Sequence, residues 1–154
     1  MYAQKPRIWV DADACPIPIK ELLVCAAKRK KIETVFVANQ PLNVGNTPFV
    51  SFTQVQSGFD VADHYIVSKV STGDLVVTQD IPLADEVITL GALAIGPRGD
   101  FYTKENIKSR LNMRDFMETM RSSGIQSGGP APFSKSDVQT FANRLDSWLN
   151  KQNS

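Results

Sequence analysis

Aspartate is the residue type that this chain places where chemistry is easiest to build. Asp11 and Asp13 follow directly on the apolar run Ile8-Trp9-Val10, and Asp80 follows Leu75-Val76-Val77-Thr78. Each acid thus stands where a buried strand would reach water. If those two strands are neighbours, three carboxylates meet within a few ångströms, which is costly unless a proton or a cation neutralises them. A hard, oxygen-seeking ion such as Mg²⁺ or Mn²⁺ suits such a set. Asp11, Asp13 and Asp80 are therefore the candidate catalytic residues and metal ligands. Asp60 and Asp63, one helical turn apart on one face, are candidate further ligands. Each acid also has a plainer reading: Asp13 and Asp80 as caps, Asp60 as an N-cap, Asp63 as a first-turn acid.

The basic residues offer a matching half. Arg110, Arg114 and Arg121 fall near one face of a long helix expected over about 103–121. Arg98 sits in a Gly-Pro-Arg-Gly turn after the fifth strand, at the same end of the sheet as the acids. Glycine-rich backbone beside arginine suits phosphate contact, so Thr78, Arg98, Arg110 and Arg114 are candidate substrate-binding residues. A solvated helix with routine charges is the better reading of any one arginine taken alone. The Ser127-Gly128-Gly129-Pro130 loop can cradle phosphate or simply turn the chain. His64 is the only histidine, and with two cysteines on one helix it makes no tetrahedral zinc set. Cys15 lies near a helix N-terminus, but neighbouring carboxylates oppose a thiolate there.

These residues need a scaffold that gathers strand ends. Apolar runs at 7–10, 34–38, 49–55, 75–78 and 92–95 alternate with helical patterns, and most are continuously apolar. That pattern predicts a three-layer α/β fold around a mostly parallel sheet. Ligands in such sheets bind at the carboxyl ends of the strands. The connection between Ala38 and Phe49 is too short for a helical crossover, so one pair of strands is expected to be joined differently. Pro16, Pro18 and Pro82 fit the first turns of helices. A final helix is expected from Ser134, with Asp137 as capping-box partner and a stripe of Val138, Phe141, Ala142, Leu145, Trp148 and Leu149.

The chain of 154 residues has formal net charge +1 and 42% hydrophobic residues. That suits one domain, with a core over about 5–100 and a C-terminal helical extension over about 101–150 docked on it. A near-neutral chain attracts nucleic acid only through local patches. No apolar run of about 18 residues occurs, and Met1 to Arg7 is too short and polar for a signal peptide. Cys15 and Cys25 are too far apart on one helix to bridge, and free thiols fit a cytoplasmic location.

Four segments resemble the bacterial YaiI/YqxD family: WVDADACP from Trp9 to Pro16, GDLVVTQDIPLA from Gly73 to Ala84, RDFM from Arg114, and GGPAPFS from Gly128 to Ser134. The resemblance covers nearly the whole chain. The family's core is similar to the PIN/NYN nuclease folds, in which an acid ends the first strand, another lies on a middle helix and a Ser/Thr-x-Asp motif ends a later strand. Carried across, the resemblance implies these roles for Asp11, for Asp60 or Asp63, and for Thr78 with Asp80. The Gln-Asp-Ile-Pro turn and the long C-terminal extension depart from that pattern.

Three functions follow as expectations. The first is a Mg²⁺- or Mn²⁺-dependent phosphodiesterase acting on RNA or another nucleic acid. The second is phosphotransfer of the haloacid-dehalogenase kind, with Asp11 as nucleophile, Asp13 as general acid and Lys69 as the lysine available between the motifs. The third is an RNA-binding or regulatory module that keeps the fold without the chemistry.

Overall fold

A computed structural model of the chain describes residues 6–41, 47–57, 61–107 and 133–152. Five parallel strands and one antiparallel strand form a single sheet: β1 (Ile8–Asp11), β2 (Thr34–Ala38), β3 (Val50–Gln54), β4 (Leu75–Val77), β5 (Leu93–Ile95) and β6 (Phe101–Tyr102). Their order across the sheet is β3-β2-β1-β4-β5-β6. The chain starts in the middle, builds outward through β2 and β3, then returns to place β4 on the other side of β1. The carboxyl ends of β1 and β4 therefore border the crevice where strand order reverses, which is where ligands enter sheets of this kind.

Side chains alternate between the two faces of the strands, and each face has its own core. Ile8, Val10, Phe36, Leu75, Val77 and Ile95 pack against α1 (Ile17–Lys30) and the last helix, α4 (Lys135–Gln152). Trp9, Val35, Val37, Val76 and Ala94 pack against α2 (Val61–Lys69) and α3 (Ile81–Thr89). The result is three layers, helices on both faces of a mostly parallel sheet, which agrees with the continuously apolar strands.

Local chemistry explains the helix ends. Pro16 is the N-cap of α1 and Pro18 lies in its first turn, where missing N–H donors cost little. Lys28, Arg29 and Lys30 complement the dipole at its other end. In α4, Ser134 and Asp137 form the expected capping box: the Ser134 N–H donates to Asp137 Oδ2 at 2.9 Å and the Asp137 N–H to Ser134 Oγ at 3.4 Å. Phe141, Leu145, Trp148 and Leu149 then enter the same core as the strands. The turn after β5 lies hard against α4. A Cβ at Gly99, whose φ is +95°, would stand 2.9 Å from the Phe141 backbone nitrogen, so glycine is required there.

One feature departs from the sequence reading. The residues after Gly99 start with β6, a two-residue antiparallel strand on β5, before the helical segment that begins at residue 104. Strand β3 pairs parallel to β2 through a connection that carries no helix among the described residues, in keeping with the short span between Ala38 and Phe49. Most of the helix expected over 103–121, and the loop at 127–132, lie outside the described residues. Among the described residues no helix is long and apolar enough to cross a membrane.

Candidate functional site

Asp11 is the last residue of β1, paired in register with Val37 of β2, and is 8% exposed. Its Oδ2 accepts a hydrogen bond from Thr78 Oγ1 at 3.0 Å. Thr78 is buried just beyond β4, and its hydroxyl oxygen accepts from the Asp80 N–H at 2.9 Å. The single hydroxyl proton of Thr78 is thereby committed to Asp11. Thr78 thus holds that carboxylate and links it to the backbone of Asp80. Tyr102, on β6, donates to the Thr78 carbonyl at 3.4 Å, so the strand missed in the sequence supports this corner of the site.

Asp80 is a helix cap, the plainer of its two sequence readings, and it lies near Asp11. Its Oδ1 caps α3 by accepting from the Leu83 N–H at 3.1 Å, and its negative charge also acts on Asp11. Asp13, exposed in a short 3₁₀ turn (Ala12–Ala14), accepts from the Asn39 N–H at 2.9 Å. That bond ties the ends of β1 and β2 together. Asn39 was no site candidate in the sequence, because a backbone donor leaves no side-chain signal.

The electrostatics converge on Asp11. Burial pushes its carboxyl above the ordinary 3.8, and the charges of Asp80 and then Asp13 push it further, against the lowering effect of the Thr78 hydrogen bond. Cys15 follows in the same turn and is also buried. Burial pushes its thiol up to about 12; Lys20 offsets part of the effect, and Asp11 adds to it. A thiolate nucleophile is thus opposed, as expected.

The remaining candidates divide. Asp63 is half-buried in the first turn of α2, and His64 beside it is exposed. Asp60, Arg110, Arg114 and Arg121 lie outside the described residues. Arg98 is at the expected turn, but its guanidinium pairs with Asp137 at 3.2 Å and lies 6.0 Å from the centre of the Phe133 ring. Lys69 is at the opposite end of the molecule, where its carbonyl accepts from Arg7 at 3.5 Å. It therefore stands away from Asp11, and the lysine that the phosphotransfer reading named is not at the acidic cluster.

A divalent metal can be tested against this donor set. Asp11, Asp13 and Asp80 are hard oxygen donors, and each gives one oxygen to a protein hydrogen bond. Among the described residues no three His, Cys, Asp or Glu side chains group to hold an ion by themselves. The set fits Mg²⁺ or Mn²⁺ held by one or two carboxylates together with substrate phosphate and water, rather than a cage made by protein alone.

Fold and site together define a doubly wound α/β protein with an acidic switch point. Residues 9–151 match the model of the YaiI/YqxD family of uncharacterised bacterial proteins, and the chain belongs to that family. It is 64% identical over 143 residues to a UPF0178 protein of Shewanella amazonensis, covering 93% of this chain and 96% of that one. A UPF0178 protein of Aeromonas hydrophila is 59% identical over 142 residues, covering 92% and 95% respectively. One from Colwellia psychrerythraea is 59% identical over 140 residues, covering 91% and 93%. No solved structure matches the chain.

Proposed function

We propose that the protein is a metal-dependent phosphodiesterase acting on nucleic acid, RNA by preference, on a core of the PIN/NYN kind. The observation that carries this is Asp11: a buried acid at the switch point, with two further acids raising its proton affinity and one hydroxyl holding its geometry. Perturbed acids gathered in such a crevice are characteristic of catalytic sites. A structural carboxylate would be surrounded by donors, not by other carboxylates.

Asp11 and Asp80 are the residues that would hold Mg²⁺ or Mn²⁺, with Asp13 at the rim and Asp63 or Asp60 as further ligands. The ion supplies activation of water and neutralisation of charge on the leaving oxygen. Thr78 holds Asp11 Oδ2, which leaves Oδ1 as the oxygen available to an ion. Asp80, held at the start of α3 by the Leu83 N–H, is equally preorganised. Asp13 can accept a proton from water at the exposed edge. Backbone phosphates would be held by Arg110 and Arg114, with no sequence-reading element required.

The test is cleavage of single-stranded RNA with Mn²⁺ or Mg²⁺ by wild type and by Asp11→Asn. We expect hydrolysis by wild type and a loss of at least about 100-fold in the variant, the scale of one removed catalytic group, with its unfolding transition retained. Full activity in a contaminant-free Asp11→Asn preparation would falsify the assignment. RNA binding without turnover in wild type, indifferent to metal, would instead identify a non-catalytic binding module.

A further inference from the structure

A cavity of about 470 Å³ opens at the amino ends of the strands, the far side of the sheet from Asp11, with Arg7, Lys31, Glu33, Phe49 and Ser51 in its lining. Its size lies within the roughly 300–1,000 Å³ of small-molecule sites. Two of these residues occupy backbone positions that favour glycine. Lys31 closes α1 with φ 55° and ψ 46°. Phe49 has φ 69° and follows Pro48 in a turn closed by the Val50 N–H on the Thr47 carbonyl at 3.3 Å. A proline followed by positive φ is the type II pattern, whose third position calls for glycine or asparagine.

Phe49 is also 45% exposed and belongs to neither core cluster. A left-handed backbone and a wetted ring are both unfavourable, and packing recovers neither. The Lys31 ammonium has no ion pair among the described residues. Arg7 is held at the rim, its guanidinium 4.8 Å from the centre of the Trp9 ring and bonded to the Lys69 carbonyl at 3.5 Å. One cavity thus combines an exposed aromatic face, two cations and one carboxylate.

We infer that this cavity binds a phosphorylated nucleoside. The base stacks on Phe49, the phosphate lies with Lys31 and Arg7, and Glu33 accepts from N–H donors on the base edge. The ligand is a free nucleotide or the phosphorylated end of a strand. The site is separate from the acidic cluster and needs no metal.

The experiment titrates nucleoside 5′-monophosphates into the full chain in EDTA, read by calorimetry. Wild type should bind saturably. Phe49→Gly and Lys31→Asn should each weaken binding about tenfold, the scale of one lost base stack or phosphate contact. Both replacements suit a left-handed backbone, so the thermal midpoint should stay level or rise. A 5′-phosphorylated oligonucleotide that competes as well as the monophosphate identifies a strand end as the ligand; one that does not compete identifies the free nucleotide. Absence of saturable binding at millimolar nucleotide overturns the inference, and so does binding that both variants leave unchanged.

Discussion

At the amino end of the β1–β4 pair, Asp74 is 2% exposed and accepts three hydrogen bonds: from the Arg7 N–H at 2.9 Å, from Trp9 Nε1 at 3.0 Å and from the Ser71 N–H at 2.9 Å. At the carboxyl end of the same pair, Asp11 is 8% exposed and accepts, among the described residues, from Thr78 alone. Its near neighbours include two more acids. Both carboxylates are buried, but Asp74 has three donors to replace the water it gave up and Asp11 has one. Asp74 staples two strands and a turn together. Asp11 is held in place by one hydroxyl and left in an unfavourable field, which is the arrangement expected where an incoming cation or proton supplies the missing partner. Burial alone does not mark a functional acid; what surrounds it does.

The largest effect should come from Asp74. Asp74→Ala strands the Trp9 indole N–H and two backbone donors, and each orphaned buried donor costs about 1–3 kcal/mol. We expect a loss of about 3 kcal/mol in urea unfolding, with the slope of the transition unchanged. A loss below about 1 kcal/mol would show that water reaches these donors and that the two ends differ less than their hydrogen bonds suggest.

Asp11→Asn should behave oppositely, remaining within about 1 kcal/mol of wild type at pH 7 or exceeding it. The sign follows from linkage. The folded carboxyl of Asp11 lies above the ordinary 3.8, so the folded chain holds that proton more tightly than the unfolded chain. The stability this contributes is complete below about pH 3.8 and is lost as pH rises through the raised value. Unfolding of wild type and Asp11→Asn across this range should therefore show wild type losing ground as pH rises, then a level difference. A difference that moves the other way would mean that Asp11 is stabilised as a carboxylate, and the contrast with Asp74 would disappear.

Much of this was readable in the sequence, for a definite reason. Continuous apolar runs that stop at an acid report a buried strand reaching water, and β1 and β4 both do so. The capping box at Ser134 and Asp137 is equally local. What could not be read depends on distant partners. Asp74 looks like an ordinary turn acid until Trp9, 65 positions away, is placed against it. Arg98 looks free to meet phosphate until Asp137, 39 positions away, takes it up. Phe101 and Tyr102 are too short a run to reveal β6, yet Tyr102 reaches the Thr78 carbonyl. Lys31 and Phe49 carried no motif at all; only their left-handed backbone and a shared cavity make them conspicuous.

The smallest effect separates the two reasons for Asp11's raised proton affinity. Asp80→Asn and Asp13→Asn each remove one negative charge and keep a carbonyl oxygen for the existing bond, since asparagine caps a helix about as well as aspartate and can still accept from the Asn39 N–H. Stability should change by no more than about 0.5 kcal/mol in either variant. The Asp11 carboxyl, followed by carbon NMR, should titrate lower in both, and lower in Asp80→Asn than in Asp13→Asn because Asp80 exerts the larger influence. Neither should restore the ordinary value, because burial is the leading cause. If both variants leave the Asp11 titration where it is, the three aspartates do not act as one electrostatic unit, and the acidic cluster reduces to a single buried residue beside two helix-end acids.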